Sequence, residues 1–180
     1  FQDVNIDEIY EYMIDELSIP RDISDVMKEE EKKLEKKLCT QRKSIKELFD
    51  LALITGKKVI LVSDMYLDHE TISEILKNNG YEGYEKLYLS SDLRLTKNSG
   101  AIFKYVLNDL KVAANKILHI GDTWTNDIVN AQAVGMETMF IPKAIEVFEN
   151  KIPNVVTNNC GYMGKTACGV VENSDEVMNS

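Results

Sequence analysis

The chain has 180 residues, 44% of them hydrophobic and 28% charged, with a formal net charge of −9. That length holds one domain with a full core, with or without a small appendage, and the composition is globular, not disordered. The acidic balance excludes a nucleic-acid partner or an anionic membrane surface, both of which need clustered Lys and Arg, and leaves small-molecule chemistry as the better fit.

No apolar run reaches bilayer length, and the N-terminus lacks the basic-then-apolar pattern of a signal peptide, so no membrane role is expected. Cys39, Cys160 and Cys168 are odd in number and not at metal-ligand spacing. A reduced, cytoplasmic chain is the expectation. Residue 1 is Phe, which fits a chain trimmed from a longer one.

In chain order, Ile6, Ile9, Tyr10, Met13, Ile14 and Leu17 fall at helical spacing and predict one helix, closed by Pro20. From Asp22, read as an N-cap, a longer helical region runs toward Gly56. Its apolar stripe is read as Val26, Leu34, Leu38, Ile45, Leu48, Phe49 and Ala52. The EEEKKLEKK block inside it reads as a solvated face laced with pairs such as Glu29 and Lys33. Cys39 reads as a small packed hydrophobe.

After Gly56 the pattern changes. Lys58 to Ser63 is a continuous β-branched and apolar run, the mark of a strand buried on both faces. A helix with Ile72, Ile75 and Leu76 inward stops at Asn79-Gly80. A strand over Lys86 to Ser90, a loop to Lys97, and a helix carrying Ile102, Phe103, Val106, Leu107 and Leu110 follow. A third strand, Ile117 to Ile120, enters Gly121 and then Asp122 and Asp127; a helix over roughly Thr125 to Val134 and a strand from Glu137 to Ile141 complete the alternation. Strand and helix alternating in this way predict an α/β fold with a doubly wound parallel sheet. Beyond Pro153 the sequence reads as loop with at most a short helix and a frayed end. No internal repeat occurs.

Right-handed crossovers put Ser63, the loop after Ser90, and Asp122 on one sheet edge, where open α/β sheets hold ligands. Two carboxylates there, Asp122 and Asp127, either hold a hard cation such as Mg²⁺ or cap and charge the helix that follows. Ser63 is either a phosphate donor or a turn serine. Lys97 sits at a helix start, where the macrodipole disfavours a cation, and such local violations tend to mark function. A hydroxyl, a cation and a metal-binding acid pair at one edge are the equipment for holding a phosphoryl group.

The runs VILVSDMYL, TKNSGAIFKYVLNDL and KILHIGDTWTND resemble the second, third and fourth motifs of the haloacid dehalogenase superfamily of phosphohydrolases, over roughly Lys58 to Pro142. More narrowly, SDMYL, GYEGYEKLYLSSD and TKNSG resemble the branch found in bacterial loci for surface polysaccharide and glycan assembly. The resemblance implies a Rossmann-like core at residues 57–150, a small helical cap at 1–56 and a tail at 151–180. It implies that Ser63 and the backbone NH of Asp64 bind phosphoryl oxygens and that Lys97 neutralises charge on nucleophile and phosphoryl group. Asp122 would ligate Mg²⁺, and Asp127 would support the metal directly or through water. Trp124, in the same loop, would line the entrance or pack over the sheet edge.

The first motif of that superfamily, an apolar strand ending in Asp-x-Asp that supplies the nucleophile, is not found in these residues. Asp64 follows a good strand, but position 66 is Tyr. The missing strand is expected upstream, in the same parent protein. Two functions follow from the resemblance. One is Mg²⁺-dependent hydrolysis of a small phosphorylated metabolite, such as a sugar phosphate. The other is a degenerate, non-catalytic phosphate-binding module of a glycan-assembly protein. A phosphorelay receiver domain is excluded by motif order, since its acids precede the hydroxyl and lysine. A dinucleotide-binding domain is excluded because no G-x-G-x-x-G follows a strand. His69 reads as a surface histidine capping its helix.

Overall fold

A capping box starts the first helix. Asn5 Oδ1 accepts the Glu8 amide at 2.9 Å and Glu8 returns a bond to the Asn5 amide at 3.1 Å, satisfying two amides that the helix cannot. The computed structural model describes residues 3–143 and 145–147. The expected tail at 151–180, with Cys160 and Cys168, lies outside the described residues. Helices α1 (Ile6–Leu17), α2 (Arg21–Leu38) and α3 (Lys43–Ile54) lead into β1 (Ile60–Ser63), α4 (His69–Asn78), β2 (Lys86–Leu89), α5 (Ser90–Leu93) and α6 (Ala101–Leu110). A 3₁₀ turn (Ala114–Lys116), β3 (Leu118–Gly121), a wide π-type turn (Trp124–Val129), α7 (Asn130–Ala133) and β4 (Glu137–Phe140) follow.

The strands form two parallel pairs, β1 with β2 and β3 with β4, with Ser63 beside Leu89 and Gly121 beside Phe140. The first pair is covered on both faces. Ile60, Val62 and Tyr88 pack with Ile102, Phe103 and Val106 of α6, and with Ala131 and Met136. On the other face Leu87 and Leu89 pack with Ile6 and Tyr10 of α1, Leu67, and Ile72 of α4. This is an α/β fold wound on both sides, as the alternation predicts. Among the described residues, no helix is long and apolar enough to cross a membrane.

Three expectations change. The helical region from 22 to 56 is two helices, broken at residues 39–42, where Cys39 is extended and its carbonyl accepts from Asn79 Nδ2 at 3.0 Å. Cys and Thr are poor helix formers, so this tertiary bond decides the break. The N-cap position is Pro20, which places Asp22 in the first turn instead. Val26, Leu34 and Leu38 are exposed, not part of a core stripe, because α2 turns a polar side inward: Ser24 is buried and bonds Tyr10 O at 3.4 Å. In the same way, Lys32 pairs with Asp68 at 2.8 Å.

The segment after β2 is partly helical. Ser90 and Ser91 are buried in α5. Ser90 Oγ accepts the Met65 amide at 2.9 Å, and Ser91 Oγ donates to Leu67 O at 3.1 Å. These bonds tie down the loop that follows β1.

Candidate functional site

The ends of β1 and β3 meet through one residue, Lys97. Its backbone NH lies 3.0 Å from each carboxylate oxygen of Asp64, directly after β1, and its Nζ lies 2.7 Å from Asp127 Oδ1, beyond β3. The segment carrying Lys97 is held from the other side by Asn130 Nδ2, which donates to the carbonyls of Lys97 and Asn98 at 2.9 Å. Lys97 precedes α6 and does not open it. The helix starts at Ala101 after Gly100, whose φ of 68° gives the left-handed bend that frees the lysine to reach across.

Asp127 is 2% exposed. Its Oδ1 takes Lys97 and His119 Nε2, the latter at 3.2 Å, and its Oδ2 accepts the Thr123 amide at 2.9 Å. Burial alone would raise its pKa. The bonds from His119 and Lys97 outweigh that and hold the carboxyl well below the usual range, so it stays an anion. The carboxylate fits because position 121 is glycine: a Cβ there would stand 2.3 Å from Asp127 Cγ. The wide turn at Trp124–Val129, anchored by Asp127 N on Thr123 O at 2.7 Å, tucks the side chain back over the strand end. An ordinary helix from Thr125 was expected here.

Asp64 is shifted the other way. Burial raises its pKa, and the amide bond and charge of Lys97 offset this only in part. Its carboxylate, more than its backbone NH, is what joins it to Lys97. Ser63 ends β1 half-buried beside Leu89. Asp122 is exposed at the end of β3, and its Oδ1 accepts the Thr123 hydroxyl at 3.2 Å. Trp124 packs edge-to-face on Phe140 with centroids 5.5 Å apart and stays exposed. Asp68, not His69, caps α4, accepting the Thr71 amide at 2.8 Å.

Lys97, Asp64 and Asp127 are thus brought together, with Asp122 bonded to Thr123 at the end of β3 and outside that cluster. The sequence reading missed His119, Asn130 and the Asp64 carboxylate. Strand alternation holds the signal for the first, since His119 and Gly121 share a face of β3 and Asp127 lies over Gly121. Among the described residues, no three Asp, Glu, His or Cys side chains gather as a closed metal cage. The donor set suits a cation held by few protein oxygens, as Mg²⁺ often is, with Asp122 the available carboxylate and Asp127 already bonded. Chemically, the edge offers a fixed cation, an open carboxylate and a hydroxyl at strand ends, which suits a phosphoryl group.

A family model described as haloacid dehalogenase-like hydrolase matches residues 1–141. Solved structures share the fold at low identity. One, an uncharacterized protein from Listeria monocytogenes serotype 4b, is 19% identical with a TM-score of 0.53, covering 74% of this chain and 82% of that one. A HAD-hydrolase of Bacillus subtilis, solved bound to magnesium, is 17% identical with a TM-score of 0.56, covering 76% and 69%. A haloacid dehalogenase-like family hydrolase from Xanthomonas campestris is 14% identical with a TM-score of 0.54, covering 96% and 70%. No curated protein matches the chain.

Proposed function

The chain belongs to the haloacid dehalogenase-like hydrolase family, and from that premise we propose that it serves Mg²⁺-dependent hydrolysis of a small phosphomonoester. A sugar phosphate is the first class to test. The observation that carries this is Lys97, held by the strand-end acid Asp64 on its backbone and by the buried anion Asp127 on its side chain. A lysine fixed so firmly at a sheet edge costs less to position when charge develops on a phosphoryl group.

In this reading Ser63 and the NH of Asp64 bind phosphoryl oxygens, and Lys97 neutralises their charge. Asp122 holds Mg²⁺, which when bound neutralises phosphoryl charge, and Asp127 supports the site by fixing Lys97 and through water. Residues 1–56 act as the cap over a core at 57–150, with 151–180 as a tail, in a cytoplasmic protein of the glycan-assembly branch.

The nucleophile is assigned to an Asp on an apolar strand outside residues 1–180, seated between β1 and β3. The two parallel pairs support this. Among the described residues β1 is hydrogen-bonded to β2 and β3 to β4 with no ladder between the pairs, which leaves the inner edges of β1 and β3 for such a strand.

The test is phosphate release from a panel of phosphomonoesters by the nucleophile-containing parent, with and without Mg²⁺. Mg²⁺-dependent release, abolished by Asp122→Asn, is expected; release indifferent to both would sink the assignment. The absence of an Asp-x-Asp motif after a strand in this sequence favours one second reading, a binding module. For that reading, titration of this chain with Mg²⁺ and a phosphomonoester gives binding without turnover in the parent as well.

A further inference from the structure

We infer that His119 is a positioning residue: its Nε2 holds Asp127 Oδ1 at the point where that oxygen meets the Lys97 ammonium. This rests on Lys97 being the cation that faces the phosphoryl group. A lysine carries a compact charge on a flexible four-carbon stem, so its head stands where an acceptor puts it. Among the described residues, the Lys97 ammonium bonds Asp127 Oδ1 at 2.7 Å, with side-chain exposures of 16% and 3%. Whatever steadies the Asp127 carboxylate therefore steadies the lysine.

Lys97 and His119 meet Oδ1, and the Thr123 amide meets Oδ2 at 2.9 Å. With one donor on each oxygen, a carboxylate still tips about the line that joins them. A second donor on Oδ1, 3.2 Å away, opposes that tilt. Nε2 faces a carboxylate that stays ionised, so it carries a hydrogen and donates. The ring itself is held in place. It packs edge-to-face on the fully buried Phe103 of α6, with centroids 4.8 Å apart, and its side chain is 13% exposed. Alternation along β3 sets His119 and Gly121 on one face, so one strand supplies the space that Asp127 fills and the donor that keeps it there. An apolar side chain would fill the gap beside Phe103 equally well; the N–H is what histidine adds.

Three substitutions separate the donor from the packing. Glutamine carries an N–H at about the reach of Nε2, methionine matches its length without one, and asparagine ends short, near where Nδ1 stands. In the nucleophile-containing parent, His119→Met and His119→Asn are expected to lower kcat by about tenfold and leave KM within about twofold, the pattern of a contact that counts as charge develops. His119→Gln recovers most of that loss. Methionine and glutamine variants that lose alike make His119 a packing residue and overturn the inference, as does a methionine variant at wild-type kcat. Circular dichroism reads folding; should His119→Met unfold, the asparagine and glutamine variants decide. A wild-type parent that releases no phosphate counts against the phosphatase reading, and the hold on Lys97 is then decided in the 180-residue chain by ¹⁵N NMR of the Lys97 ammonium. A signal kept in His119→Gln and lost to exchange in His119→Met supports the hold. One unchanged in His119→Met, or already absent in the wild type, overturns it.

Discussion

The carboxylate of Asp127 lies over the α-carbon of Gly121, so closely that a Cβ there would stand 2.3 Å from its Cγ and 2.7 Å from its Oδ2. Gly121 is needed here for the space it leaves, not for an unusual backbone angle. Gly121→Ala must push Asp127 out of its bonds to Lys97, His119 and Thr123. The expected loss is about 2 kcal/mol, the scale of overpacking a filled site. Urea denaturation measures it. Asp127→Ala removes the bonds and the clashes with Cγ and Oδ2 but leaves its own Cβ 2.4 Å from the added one, so the double variant should lose less than the sum of the singles yet more than Asp127→Ala alone.

Asp127→Asn tests the anion itself. Lys97 and Asp127 have side-chain exposures of 16% and 3%, so removing one charge leaves the other in a dry site, at a cost of about 3 kcal/mol. The pH dependence has a definite sign. Asp127 has a folded pKa below its ordinary value of 3.8, so its contribution is present in full at neutral pH and is lost as pH falls below that value toward the folded one. Wild type and Asp127→Asn should therefore differ most at pH 7 and converge toward pH 2. A gap that stayed constant over that range would show that the charge plays no part.

Much of this was legible in the sequence, because hydrophobic patterning reports burial. The continuous run from Lys58 to Ser63 follows from a strand pair covered on both faces, and the helix around Phe103 from the period that one buried face imposes. What patterning cannot report is a bond between distant residues. The break after Leu38 depends on Asn79 reaching the Cys39 carbonyl, and the wide turn at 124–129 depends on Asp127 folding back over Gly121. The outward turn of Leu34 and Leu38 was hidden for a related reason. Polar residues on the opposite side of α2 have specific partners in α1, α4 and the loop after β1, and those partners decide which side faces in.

Glu31 joins the helical segment to that loop. Tyr10 donates to its Oε2 at 2.6 Å and Tyr66 to its Oε1 at 2.7 Å. Each hydroxyl bonds a partly buried carboxylate, so Tyr10→Phe and Tyr66→Phe should each cost about 1.5 kcal/mol. A double-mutant cycle should show coupling of at least about 0.5 kcal/mol, since both share one acceptor. The alkaline limb adds a second check. Burial and Glu31 push Tyr10 up to about 12 and raise Tyr66 further. Stability from these groups is present below pH 10 and lost as pH climbs past it. Wild type should fall faster than the Phe variants from pH 10 to 12.

Asp64 is a half-buried carboxylate whose charge the fold does not fully offset, so removing that charge should not cost stability. Burial raises its pKa above 3.8 and outweighs the help from Lys97, so the fold prefers its neutral form. The sign is opposite to that of Asp127: Asp64 lowers stability as pH rises through its ordinary value toward its folded one. Asp64→Asn keeps an oxygen for the Lys97 amide and removes the buried charge. It should be at least as stable as wild type at pH 7, with any advantage shrinking below pH 4. Yet it alters the strand end on which the phosphoryl group is proposed to sit. Stability is expected to hold or rise while phosphomonoester binding, measured by calorimetry in the presence of Mg²⁺, falls. A variant that lost several kcal/mol at pH 7 would instead make the Asp64 charge a structural necessity, and the strained carboxylate would need no functional reason.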